Sequence, residues 1–109
     1  MKAQVYVVRD SQADATMRPF FFERDAVAIR SFILSVTNAN EAMSNTPEDF
    51  TLYRVGTYDD ESMFLVGEDP VRLINGLEAV QAREGDQRKL QDLHQQIQQI
   101  ENGEDRHAT

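Results

Sequence analysis

Five arginines and the chain's three tyrosines are the side chains best suited to chemistry: Arg9, Arg18, Arg24, Arg30 and Arg54 beside Tyr6, Tyr53 and Tyr58. Guanidinium groups next to aromatic rings are what a sheet surface needs to hold single-stranded nucleic acid, by phosphate pairing and base stacking. The same residues have a plainer use. Asp10, Asp14, Glu23 and Asp25 are interleaved with the arginines and could neutralise them, while the tyrosines pack in or over a core. Both readings stay open at this stage.

Catalysis has less support. An enzyme of this size needs a nucleophile, a base and an electrostatic stabiliser converging on one pocket. The two histidines, His94 and His107, lie in a Gln-rich segment and near the C-terminus, where a solvated surface is their expected place. No nucleophile elbow, Gly-rich loop or phosphate-binding lysine motif occurs. Asp59, Asp60 and Glu61 lack the alternating ligands of a calcium loop and read as a solvated hairpin turn. No metal or cofactor is expected.

The chain has 109 residues and no cysteine, which bounds it to one domain plus an appendage and excludes a disulfide framework or thiolate metal site. Hydrophobic residues at 40% and charged ones at 28% are ordinary for a globular fold. The opening apolar run is too short and too soon charged for a signal peptide, and no stretch has membrane-spanning length, so a soluble intracellular protein with no membrane contact is expected. The net charge of -8 is uneven: five Lys/Arg face seven Asp/Glu through Phe50, and six face twelve from Thr51 onward. Phosphate neutralisation drives non-specific nucleic-acid coating, so this charge argues against a DNA-packing role.

These residues need positioning elements. Residues 4–9 carry apolar side chains at both parities, which predicts a central strand buried on two faces. Pro19 and three consecutive Phe suit a second short strand, either core or partly exposed. Asp25 is a candidate N-cap for a helix whose apolar stripe is Ala26, Ile29, Ile33 and Val36, with Phe32 close by. Thr46, as cap before Pro47, predicts one helical turn, followed by a strand over residues 50–55. Gly56 is expected to mark a bulge or a close backbone approach, residues 59–62 a turn, and residues 63–66 a returning strand. Val71, Leu73, Ile74 and Leu77 are ambiguous between strand and helix. The expected fold is α+β: a small, mainly antiparallel sheet with one packed helix, in the order β-β-α-β-β, over residues 1–80. Residues 81–101 then form a Gln-rich amphipathic helix, set off by Gly85, and residues 102–109 a flexible tail. Leu90, Leu93, Ile97 and Ile100 follow an a/d pattern over about two heptads, which points to self-association or a partner contact.

Two stretches, VYVVRDSQADATMRPFFFERDAVAIRSFILSV and PEDFTLYRVGTYDD, resemble the small nonstructural protein of gokushovirus-type microviruses, the single-stranded-DNA phages. The resemblance rests on Tyr6, Asp10, Pro19, Phe20, Ala28, Ile29, Arg30, Phe32, Asp49, Phe50, Leu52, Tyr53, Gly56, Tyr58 and Asp59. It implies a phage protein made in the host bacterial cytoplasm and absent from the virion. Such proteins are likened to the factor that turns microvirus replication toward single-strand synthesis coupled to packaging. The implied role is a non-enzymatic adaptor, a homo-oligomer that binds phage replication or capsid proteins. A different class of role is weak, direct binding of single-stranded DNA by the Arg/Tyr face. The Gln-rich helix departs from the family pattern, and no role for it carries over.

Overall fold

The computed structural model describes the backbone of residues 1–107 and the side chains of residues 1–101. Its elements run β1 (Lys2–Asp10), β2 (Ala15–Thr16), β3 (Phe20–Phe22), α1 (Asp25–Val36), 3-10 turns at Ala42–Asn45 and Pro47–Asp49, β4 (Phe50–Asp59), β5 (Leu65–Asn75) and α2 (Gly76–His107). This is an α+β fold with an antiparallel sheet in the order β2-β1-β4-β5, β3 lying on the same edge of β1 as β2. β1 is interior, with Tyr6 and Val8 buried on one side and Val5 on the other, as apolar residues at both parities demand.

α1 lies on one face of that sheet. Its buried stripe is Ala28, Phe32 and Val36, spaced four apart, flanked by half-buried Ile29 and Ile33. Ala26, expected on the stripe, is exposed, because the large Phe32 ring takes the centre of the contact and turns the helix toward it. These residues meet Tyr6, Val8 and Leu52 in the core. Asp25 is not the cap: Arg24 holds that position without a side-chain bond, and Asp25 is the first helical residue. Thr46 likewise makes no side-chain cap to the 3-10 turn at Pro47–Asp49; the turn is closed by the Asp49 N–H donating to the Thr46 carbonyl at 3.1 Å.

The β4–β5 hairpin is longer than its sequence suggests. β5 is one strand of 11 residues that absorbs Pro70 in an irregularity: Arg54 pairs with Val71 and Gly56 with Gly67, leaving Val55 opposite residues 68–70. The β1–β4 ladder slips at the same place, with Tyr6 opposite Arg54 and Val5 opposite Gly56. The bulged residue is therefore Val55. Gly56 is required by proximity: a Cβ there would stand 2.4 Å from the Val66 carbonyl oxygen, whereas one on Gly67 meets nothing within 4 Å.

α2 starts earlier and runs further than expected. Gly76 lets it begin against the 3-10 turn, where a Cβ would lie 1.9 Å from the Pro47 carbonyl oxygen, and Ala79 is fully buried in the core. The helix passes through Gly85 without a break and reaches His107, beyond the expected start of a tail at residue 102. Residues 108 and 109 of that expected tail lie outside the described residues, as does the His107 side chain. Apart from Gly85, every residue over 81–101 is exposed. A helix of 32 residues is about 48 Å long, which accounts for the molecule's 70 × 36 × 22 Å extents.

Gly56→Val should lower the unfolding free energy by roughly 1–3 kcal/mol through strain and lost pairing, while Gly67→Ala should stay within about 0.5 kcal/mol. Urea denaturation of both variants checks this; equal effects would remove the close approach as the reason for Gly56.

Candidate interaction surfaces

The sheet has two unlike faces, and they divide the arginines and tyrosines. On the helix-covered face, Tyr6 is fully buried, its ring 5.9 Å from that of Phe20, and its hydroxyl donates to Asp25 Oδ1 at 2.8 Å. Arg54 Nη1 donates to the other oxygen of Asp25, and Arg54 Nε to Glu68 at 2.7 Å. Arg24 lines the depression beside this network. Arg18 lines a separate groove of about 490 Å³ with Phe20, Phe22, Phe32, Met17 and Met43. Arg30 is exposed on α1.

The second sheet face has no helix over it. Arg9, Val7, Tyr53, Val55, Thr16 and Pro70 line a shallow concavity there. Arg72 sits opposite Tyr53 in the β4–β5 register, and Tyr58 lies toward the other end, its ring 5.7 Å from that of Phe21. The eight residues expected to share a surface are divided: Arg9, Tyr53 and Tyr58 lie on the open face, Tyr6, Arg24 and Arg54 gather around Asp25 on the covered face, and Arg18 and Arg30 stand apart from both. The arginines of this face are paired with carboxylates: Arg9 with Asp14, and Arg72 with Glu78. The Arg72 partner holds Glu78 below the usual carboxylate range, chiefly through its hydrogen bond.

The α2 stripe is a third surface. Leu90, Leu93, Ile97 and Ile100 are 57, 52, 46 and 63% exposed, and His94 on the same helix is exposed too. The fourth surface is one that sequence reasoning missed. Met63, Phe64, Leu65 and Val66, at the tip of the β4–β5 hairpin, are exposed large apolar residues. Asp59, Asp60 and Glu61 form the adjoining turn, where the Asp59 carboxylate accepts from the Glu61 backbone N–H at 3.0 Å and is held below its ordinary range by that bond first. Four consecutive apolar residues, separated from three acids by Ser62 alone, were the available signal; they read as the returning strand of a hairpin rather than as a surface. No group of three or more metal-ligating side chains is assembled among the described residues. No described helix is long and apolar enough to cross a membrane.

The chain is an α+β domain with one open sheet face and a projecting helix. Residues 3–79 match the family model described as Phage ORF5 protein, and the chain belongs to that bacteriophage family. The match ends at Ala79, the last fully buried residue before α2 leaves the domain. No curated protein and no solved structure is significantly similar to the chain.

The Tyr6 phenol is pushed well above the usual tyrosine range, first by burial and then by its bond to the Asp25 carboxylate. A folded-state pKa above the unfolded value gives stability that is present below about pH 10 and lost as pH rises beyond it, because only the unfolded chain then ionises, at a slope of up to about 1.4 kcal/mol per pH unit. Tyr6→Phe should cost about 1–2 kcal/mol at neutral pH and flatten that alkaline loss. Denaturation curves taken from neutral to alkaline pH test it; parallel curves for parent and variant would contradict it.

Proposed function

We propose that this chain is a non-enzymatic adaptor: a nonstructural protein of a gokushovirus-type microvirus that acts in single-stranded genome replication and packaging, in the host cytoplasm, through protein partners. One observation carries the reading. Leu90, Leu93, Ile97 and Ile100 stand exposed along one stripe of a helix on which, from residue 81 to 101, every residue but Gly85 is exposed. An isolated helix gains little stability from its own backbone, and a Gln-rich one gains no more, so a stripe of four aliphatic residues is best used against another helix. A second copy supplies the same stripe. The resulting homo-oligomer would present several copies of the domain to phage replication or capsid proteins, which multiplies weak contacts.

Light scattering should find a dimer or larger species for the full chain, and a monomer for Leu93→Glu combined with Ile97→Glu or for a chain ending at Gly85. Monomers throughout, at high micromolar concentration, would rule out association through α2.

The open sheet face supports a second reading, direct binding of single-stranded DNA, because Tyr53, Tyr58 and Phe21 offer rings on the face that also carries Arg9 and Arg72. With a net charge of -8 the binding should be weak, selective for single strands and sharply salt-dependent. Arg9→Ala with Tyr53→Ala should abolish it, at about 1–3 kcal/mol per lost stack, and Arg30→Ala should leave it unchanged. Fluorescence anisotropy with labelled oligothymidylate measures this. Binding that survives the double change, or is lost with Arg30, would place DNA elsewhere.

A further inference from the structure

The β4–β5 hairpin tip exposes Met63, Phe64, Leu65 and Val66 at 80, 71, 64 and 62%. The reason lies in where α1 begins. Its first residue, Asp25, stands over Arg54, and the helix runs from there toward Val8 and Leu52, away from the tip. The pairs Thr57–Val66 and Tyr58–Leu65 therefore lie beyond the helix on one face and on the open side of the sheet on the other. Leu65 adjoins Tyr58, whose ring packs on half-exposed Phe21, so the apolar surface continues from the tip across the sheet to β3. β5 is also the edge strand, and its outer backbone groups over residues 65–67 pair with no other strand. A long exposed apolar edge of this kind is normally guarded against association.

The surroundings select the occupant. Asp59, Asp60, Glu61, Glu68 and Asp69 frame the tip. The cations given to them are the Met1 amino group, 2.6 Å from Asp60 and 3.4 Å from Glu61, and Arg54, 2.7 Å from Glu68. The rim stays acidic. A second tip would bring an identical set of carboxylates against this one, and nucleic acid or an anionic lipid surface meets the same repulsion. A cationic polypeptide meets attraction.

We propose that the hairpin tip docks an extended segment of a partner protein, one with apolar side chains flanked by lysines or arginines, added as a strand along the outer edge of β5. The inference rests on the adaptor reading and names the chemistry of its partner. Apolar side chains would cover Phe64 and Leu65, main-chain bonds would extend the sheet, and the flanking cations would meet the five carboxylates.

The test uses the full chain and a fluorescein-labelled synthetic peptide with a Val-Leu-Val-Leu core between pairs of lysines, beside versions with serine or glutamate in place of lysine. The lysine peptide should bind at least about tenfold more tightly than the glutamate peptide, and added salt should narrow that gap. Phe64→Ser with Leu65→Ser should lose the lysine peptide while circular dichroism stays unchanged. Asp60→Asn with Glu61→Gln and Asp69→Asn should weaken the lysine peptide alone. Equal binding of the lysine and glutamate peptides, no binding of any, or binding indifferent to Phe64 and Leu65 would overturn the proposal. A fall in oligomeric state for the Phe64→Ser, Leu65→Ser variant without peptide binding by the parent would assign the tip to a second copy and overturn it too. The Leu93→Glu, Ile97→Glu variant separates the two failures: retained peptide binding keeps the tip site even if association through α2 is lost.

Discussion

One line of polar contacts ties the domain together: the Tyr6 hydroxyl to Asp25, Asp25 to Arg54, and Arg54 to Glu68. These four residues belong to β1, α1, β4 and β5, so the line fixes where the helix begins relative to every long strand of the sheet. Tyr6 is the residue that makes it possible. It is long enough to fill the core beside Phe20 and Phe22 and still reach a carboxylate at the helix N-terminus, where the helix dipole also favours negative charge. With α1 started at that point, its apolar stripe falls on Val8 and Leu52 and leaves the other sheet face and the hairpin tip without cover.

What the domain can do follows from what it leaves out of its core. Burial along α2 stops at Ala79 and Val80, so the remaining turns rise from the domain with their side chains exposed. The acidic excess is marked on the hairpin, where residues 51–75 carry five Asp/Glu against two Lys/Arg beside the exposed apolar tip. Acid at the tip repels a second tip and nucleic acid, which is the ground on which a cationic partner is proposed for it.

Much of this was legible in the residues. Apolar side chains at both parities in residues 4–9 announced an interior strand, and the a/d spacing of Leu90 to Ile100 announced a stripe that the structure leaves exposed. The period of two along β1 already separates Tyr6 from Arg9, which set the two on opposite faces. Other features lay beyond any local pattern. Tyr53 and Tyr58 are an odd number of positions apart and would face opposite ways in a regular strand; the bulge at Val55 returns Tyr58 to the face of Tyr53, since both pair with β1 residues of one parity, Val7 and Ala3. Asp25 looked like a helix cap because caps are local, yet its partners are 19 and 29 residues away. Gly85 looked like a boundary, but an exposed helix tolerates one glycine at a cost of about 1 kcal/mol.

The central claim is that copies of the chain meet along the α2 stripe, and the absence of cysteine allows it to be tested directly. Paired cysteines at positions 93 and 97 replace two stripe residues, and paired cysteines at positions 91 and 95 have the same spacing on the opposite side of the helix. A disulfide needs Cβ atoms within about 4.5 Å, so oxidation reports which side faces a neighbour in either relative orientation of the helices. The account predicts efficient cross-linking to a dimer for the Leu93→Cys, Ile97→Cys chain and little for the Gln91→Cys, Gln95→Cys chain. Equal cross-linking of the two, or none in the first, would contradict it.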